Sequence, residues 1–378
     1  MKIKSVETFP IRYPLREPMS DATGVWHSWD TLIIKVTVES GEYGIGEIGP
    51  LHGGGLEVYR SIVETKLRPL LIGEDVFNRG FLFNKMLGVG TSSYAFGRQG
   101  AIMSAVGGID IALWDLVAKI LGTPVYNLLE GLFHKRIPAY ASGFFGRNGK
   151  PLTAEECLEE ARYYKDLGFK GIKMKIGFDR GSDLKNVEVV REALGDDILI
   201  MIDSNQGFSL HEAKLLVKRL EEYNIYFWEE PLSIFDIDGM IELSRYANFA
   251  IAAGENYYTA VDFKNLLEVQ AIQIAQPDII HSGGITGIKK ISGLCEVYDI
   301  PLAPHIHATV GFAASVQLLA ACSNTLMAEY IMTGGSYELR RELFGDVYIA
   351  DGGYIEAVSY THLRAHETSL HLVCRLLL

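Results

Sequence analysis

Cysteine is scarce and unpatterned in this chain: Cys157, Cys295, Cys322 and Cys374 are the four in 378 residues, and no two stand at CxxC spacing. That argues against a disulfide-built secreted scaffold and a cysteine-based zinc or redox centre, and a reduced, cytoplasmic compartment is expected. Surplus positive charge is also missing. With 35 lysines and arginines against 47 acidic residues the net charge is −12, which gives nucleic acid nothing to bind. An acidic substrate must therefore be captured by local lysines, histidine or a metal. No apolar run reads as long enough to span a bilayer, and Met1–Lys4 leads directly into alternating strand residues without a signal-peptide pattern. Neither nucleic acid nor a membrane is expected as a partner.

What is present is a tandem series. In GIKMKIG (171–177) two lysines, Lys173 and Lys175, alternate with Ile172, Met174 and Ile176, so a strand would turn both lysines to one face. Downstream, short apolar runs each reach a polar residue: ILIMID at Asp203, IYFWEE at Glu229, FAIAAGE at Glu255, AIQIAQPD at Asp278, IPLAPH at His305 and TLMAE at Glu329. Successive differences from Lys175 are 28, 26, 26, 23, 27 and 24 residues, the length of a strand, a helix and two loops. Helical stretches at Asp183–Leu194, His211–Glu222 and Ile285–Glu296 fall between the runs. With PAYASGF near Pro138 the strands number eight, the requirement for a TIM-type (β/α) barrel whose strand C-termini share one mouth.

Residues 1–131 read as a separate α+β domain, 132–335 as the barrel and 336–357 as a segment returning to the front domain. The front domain has strand patterns at Ile3–Arg12 and Thr31–Val38, a GEYG turn into IGEIG, and helices at Gly55–Leu71, Arg79–Leu87 and Arg98–Leu121. Two loops stand out, SDATGVWHSWD (20–30) with Trp26, His27 and Trp29, and LHGGG (51–55) with His52. Residues 358–378 contain VSYTHLRAHET, which has the character of a translated sequencing adapter. They are treated as an artefact replacing the native C-terminus, and their histidines and Cys374 are set aside.

Asp203, Glu229 and Glu255 end three successive strands, so their carboxylates converge at the mouth. Three such groups repel one another and shift upward in pKa unless a cation joins them. An all-oxygen set favours Mg²⁺, with Mn²⁺ as a substitute, over zinc. Lys175 stands on one side of this centre and His305 on the other, with Asp278 one strand away to hold the Nδ1 proton of His305. Two proton-transfer groups facing each other across a metal suit removal of a proton from carbon beside a carboxylate, with the metal stabilising the enediolate.

From about Met1 to Ala357 the chain resembles enolase-superfamily proteins of the mandelate racemase type. GIKMKIG resembles that group's KxK strand, and DSNQG, WEEP and AAGE its three metal-ligand motifs. QPD and APH resemble its Asp-His dyad, and MAE its last strand glutamate. The resemblance implies Lys175 as base, with Lys173 lowering its pKa and touching the substrate carboxylate. It also implies Asp203, Glu229 and Glu255 as Mg²⁺ ligands and Asn205 reaching towards substrate. His305 with Asp278 would be the opposite acid or base, and Glu329 a hydrogen-bond partner of the enediolate oxygen. The front domain would cap the mouth, Trp26, His27 and His52 would select the substrate, and a homo-oligomer is expected. Glu230 is read as turned away from the ligand direction, His307 as an alternative to His305, and His281 as an exposed loop residue. No lysine occurs in 271–286, where the muconate-cycloisomerising and dipeptide-epimerising branches resemble one another in carrying one.

These readings lead first to an acid-sugar dehydratase acting on an aldonate or aldarate. The same site could racemise an α-hydroxy acid or cycloisomerise a sugar-acid lactone, since YASGFFGR and KMKIGF resemble the lactone cycloisomerase branch as much as any dehydratase. A Schiff-base aldolase using Lys175 is the alternative from another class.

Overall fold

A computed structural model describes residues 1–49, 54–88, 97–345 and 347–358, with backbone only at 335, 336 and 343. The alternating N-terminal residues form an antiparallel meander in which β1 (Ile3–Ser20) pairs with β2 (Val25–Val38), and β2 with β3 (Tyr43–Ile48). The stretch read as a loop at 20–30 is mostly strand. Only 21–24 turn, because Val25, Trp26 and Trp29 are strong strand formers with cross-strand partners, Met19 opposite Trp26 and Tyr13 opposite Trp29.

The helix Ala101–Leu121 lies across this sheet, three residues shorter at its start than expected. Its approach is very close: a Cβ on Gly46 would sit 1.9 Å from the Gly108 carbonyl oxygen. By length and composition this helix could cross a membrane, which corrects the reading that no apolar run is long enough. Its apolar residues are instead buried within the protein, as the core helix of the cap.

The βα units form a parallel sheet running β4 (Arg136–Gly143), β6 (Gly171–Lys175), β7 (Leu199–Asp203), β8 (Ile225–Glu229), β9 (Ala250–Ala253) and β10 (Ile274–Ala275). Between β4 and β6 the short β5 (Gly146–Arg147) leaves the barrel to pair with Met19 and Ser20 of β1. The run IPLAPH, expected as a strand, narrows to Leu302, which bridges Ala275 on one side and Thr325 on the other. Prolines 277, 301 and 304 lack the N–H a longer ladder needs. β11 (Ala328–Ile331) then pairs with β4, closing the ring through eight parallel positions. Several outer helices start at capping boxes, Thr153 with Glu156, Ser209 with Glu212 and Thr259 with Asp262, which fix where each return helix begins.

The segment expected to return to the cap divides its contacts. Its helix Gly334–Phe344 reaches β1, where the Tyr13 hydroxyl donates to Glu338 at 2.8 Å. Its last strand, β12 (Tyr354–Glu356), pairs instead with β4 of the barrel, Ile355 opposite Ile137. Ile355 is fully buried there, so an apolar site on the barrel takes the strand. Of the tail read as artefact, residues 359–378 lie outside the described residues.

Two buried carboxylates of the cap dock it on the barrel by capping barrel helices. Glu47 of β3 accepts from the Thr309 and Gly311 amides at 2.8 and 3.0 Å, at the start of helix Val310–Ala320. It also accepts from the Thr31 hydroxyl at 2.7 Å and the Thr309 hydroxyl at 3.0 Å. Asp110 accepts from the Thr286 amide at 2.8 Å and hydroxyl at 2.6 Å, in the first turn of helix Gly284–Val297. Glu47→Ala should therefore leave several buried donors unpaired and cost about 3 kcal/mol or more. Urea denaturation reads this, and an unchanged midpoint would contradict it.

Burial pushes the Asp110 carboxyl up to about 7, against the lowering effect of its Thr286 bonds and of Arg79 and Lys290. An acid raised in the folded state binds its proton more tightly there than when unfolded. Its contribution is full below the ordinary carboxylate range and is lost as pH climbs towards 7. Asp110→Asn should remove up to about 1.4 kcal/mol per pH unit from the fall in stability above roughly pH 4. Parallel unfolding-energy curves for the two proteins over that range would overturn it.

Candidate active site

Strand alternation turns Lys173, Asp203 and Glu229 inward, and the parallel register sets Lys175 beside Asp203 and Asp203 beside Glu229. Asp203, Glu229 and Glu255 are buried, each with an oxygen within 4.8 Å of the others'. Glu229 Oε1 is buried without a hydrogen-bond donor, which leaves an acceptor free in the middle of an all-oxygen cluster. That combination fits a hard divalent cation.

The lysines neutralise part of the charge. Lys173 is fully buried, with its Nζ 2.6 Å from Glu229 Oε2, 2.8 Å from Glu329 Oε1 and 3.6 Å from Asp203 Oδ2. Lys175 Nζ donates to Asp203 Oδ2 at 2.5 Å and Asn205 Oδ1 at 2.8 Å. Burial pulls both ammonium groups down, but the carboxylates outweigh it and hold both above the usual lysine range. The resemblance implied a Lys175 lowered by Lys173. Lys173 does act in that direction, but Asp203 acts more strongly the other way. Lys173 does not line the cleft; it orients Glu229 and Glu329.

Burial and the Asp203 charge push Glu229 up to about 8 despite Lys173. Burial acts on Asp203 in the same sense, but Lys175 and Lys173 bring it below its ordinary range. Gln276, which the sequence reading passed over, donates to Glu229 Oε2 at 2.8 Å. Asn205 bridges the cluster, accepting from Lys175 and donating to Glu255 Oε1 at 3.2 Å. Glu230 does turn away: with φ of 38° after the strand, its Oε2 accepts from Asn256 at 2.8 Å and Gln206 at 3.3 Å.

On the opposite side His305 Nδ1 lies 3.0 Å from Asp278 Oδ2 and its Nε2 3.2 Å from Glu255 Oε2. Burial pulls the imidazole down, but Glu255 and Asp278 raise it to about 10. The same Asp278 oxygen meets His307 Nδ1 at 2.9 Å, so two histidines share one carboxylate. His281 is buried rather than exposed, stacked on His307 with ring centroids 5.4 Å apart and bonded through Nδ1 to Ser104 of the cap helix at 2.7 Å. Glu329 accepts the Ile306 amide at 3.1 Å as well as Lys173.

These groups open into a cleft of about 540 Å³ lined on the barrel side by Lys175, Asn205, Glu255, His305, His307 and Glu329. From the cap come Trp26, as expected, and four residues the sequence reading did not assign: Asp21, Ser28, Trp29 and Asp30. Phe145, beside β5, packs edge-on against Trp26 with centroids 5.9 Å apart, and its ring lies 5.2 Å from Lys175 Nζ. His27 is exposed and does not line the cleft. His52 lies outside the described residues.

Comparison with known proteins agrees with this geometry. Residues 3–130 match the mandelate racemase/muconate lactonizing enzyme N-terminal domain, and 156–360 the enolase C-terminal domain-like family. An arabinonate dehydratase from Saccharolobus solfataricus is 29% identical over 93% of each chain. A 3,6-anhydro-D-galactonate cycloisomerase structure from Zobellia galactanivorans superposes with a TM-score of 0.87 at 31% identity, covering 99% of both chains. A racemase structure from Streptomyces coelicolor with bound magnesium has a TM-score of 0.89 at 26% identity, again over 99% of both. With both matches covering most of its length and the cluster of carboxylates at the barrel mouth, the chain belongs to the mandelate racemase/muconate lactonizing enzyme family of the enolase superfamily.

Proposed function

We propose that this protein abstracts the proton α to the carboxylate of an acid sugar in a Mg²⁺-dependent reaction and eliminates the β-hydroxyl as water, giving a 2-keto-3-deoxy acid. The observation that carries this reading is the pair Lys175 and His305, both lining one cleft with the three-carboxylate cluster between them. Mg²⁺ held by Asp203, Glu229 and Glu255 would stabilise negative charge developing on the substrate and offset the carboxylates' hold on the Lys175 proton.

Neutral Lys175 takes the α-proton, and Asn205 and Asp203 keep its Nζ aimed. The electron pair left on carbon forms the C2–C3 double bond as the C3–O bond breaks. His305 gives its Nε2 proton to the departing hydroxyl, releasing water, and the enol then tautomerises to the ketone. Asp278 fixes the imidazole through Nδ1, which leaves Nε2 as the nitrogen facing the cleft. Glu329, aligned by Lys173 and the Ile306 amide and, despite burial, held below its ordinary range by Lys173 and His305, would accept a hydrogen bond from a substrate hydroxyl rather than donate one to the enediolate oxygen.

The similarity to an anhydro-sugar acid cycloisomerase favours a second reading, in which the same groups return a proton to carbon rather than expel water. The aldolase reading loses support, since three carboxylates gathered beside Lys175 fit metal-assisted chemistry rather than a Schiff base.

EDTA should reduce turnover on the order of 10³-fold or more, with Mg²⁺ restoring it, because several kcal/mol of charge stabilisation are removed. Asp203→Ala should resemble the chelated enzyme. Full activity of metal-free protein would refute metal dependence.

The two proton-transfer groups separate in deuterated water. Lys175→Ala should abolish α-proton exchange, whereas His305→Asn should retain exchange and lose elimination by roughly 10²–10⁴-fold. The reverse pattern would make His305 the base and Lys175 the acid, overturning the roles assigned to them.

A further inference from the structure

Resting on that reading of the site, we infer that the substrate carries a single carboxylate: an aldonate-type acid whose far end is neutral and hydroxylated, rather than an aldarate with a carboxylate at each end. The cap face of the cleft, where the far end of a bound acid sugar would lie, is made by Asp21, Trp26, Ser28, Trp29 and Asp30. These side chains supply two carboxylates, a hydroxyl and two indoles, and no cation.

The hairpin holding them straddles the mouth. Asp21 lies on the Lys175 side, close enough to help keep that ammonium charged, and it is buried with Oδ1 accepting from the Thr23 amide and hydroxyl at 2.7 Å each. Trp29 lies on the other side, its ring centroid 6.4 Å from that of His307. Carboxylates accept hydrogen bonds from sugar hydroxyls, and indole faces pack on the C–H faces of a carbon chain. A second substrate carboxylate would meet Asp21 with like charge in a low-dielectric cleft.

The neighbouring cations are committed elsewhere. Arg12 spends Nε and Nη2 on Asp30 at 3.1 and 2.9 Å, and its side chain is otherwise largely exposed outside the cleft. His307 shares Asp278 with His305, and its Nε2 lies 3.3 Å from the Gly49 carbonyl oxygen. Lys175 and His305 face the carboxylate cluster, where the substrate's reacting end must be. Among the described residues lining the cleft there is no other arginine, lysine or histidine.

The test is a set of acid-sugar pairs of matched configuration, each an aldonate and the aldarate differing only in oxidation of the terminal carbon, assayed with Mg²⁺. Both 2-keto product and α-deuterium exchange are measured. The best aldonate should exceed its matched aldarate in kcat/KM by about a hundredfold. Asp21→Asn should narrow that ratio by about fivefold or more, through a gain on the aldarate. Exchange of the aldarate α-proton as fast as that of its aldonate would keep the proton-abstraction reading and overturn this inference. A ratio that Asp21→Asn leaves unchanged would overturn the role of Asp21 in it. Exchange with no member of any pair would overturn both the inference and the function on which it rests.

Discussion

Three carboxylates brought together out of water are the costly feature on which the rest of this structure depends. Asp203, Glu229 and Glu255 each sit buried at a strand end, and no arrangement of neutral neighbours removes their mutual repulsion. Lys173 and Lys175 reduce it. The two lysines do not fully offset it: burial and the neighbouring Asp203 charge push the Glu229 carboxyl up to about 8 despite Lys173. The cluster is thus set either to keep a proton or to take up a cation, and the buried, donorless Oε1 of Glu229 fits the second outcome. Side chains around it are fixed accordingly: Asn205 ties Lys175 to Glu255, Gln276 ties β10 to Glu229, and Lys173 ties Glu229 to Glu329.

The cap is held over this centre by hydrogen bonds as well as by packing. Glu47 and Asp110 each accept from the first turn of a barrel helix, where amides lack intrahelical partners. Packing at the same seam is close enough that a Cβ on Gly107 would lie 2.1 Å from the Ile280 carbonyl oxygen. Docked in this way, the cap brings the β1–β2 turn over the mouth. There β5 pairs with Met19 and Ser20, so Phe145 and Trp26 meet above Lys175.

How far this could be read in the sequence follows from the range of the interactions involved. The three clustered acids were legible because each ends an apolar run and the βα repeat returns at nearly constant spacing, so sequence position alone gives the shared mouth. Lys175 was legible for the same reason, but its charge state was not, since it depends on Asp203 at 2.5 Å in the next strand. Glu47 and Asp110 gave no local signal, because their partners at Thr309 and Thr286 lie 262 and 176 residues away. The hairpin at 20–30 was misread where glycine and aspartate suggested a loop, while cross-strand pairing of Trp26 and Trp29 carried the strand through. IPLAPH was read as a strand from its apolar residues, although its two prolines leave Leu302 alone to bridge its neighbours.

The shared carboxylate of Asp278 gives the acid–base side of the site a constraint of its own. Its Oδ2 meets Nδ1 of both His305 and His307, and its Oδ1 accepts the Ile280 and His281 amides at 2.8 and 3.0 Å, so the carboxylate cannot rotate to favour one ring. With Nδ1 of each ring turned to Asp278, Nε2 is the nitrogen that each ring presents to its other neighbour. For His305 that atom is 3.2 Å from Glu255 at the carboxylate cluster; for His307 it faces the Gly49 carbonyl of the cap. The two rings stack with centroids 5.1 Å apart, which fixes their mutual orientation. His305 thus reaches the carboxylate cluster, while His307 joins the Asp278 support to the cap. Cap docking consequently bears on the orientation of the acid–base pair as well as on the shape of the cleft.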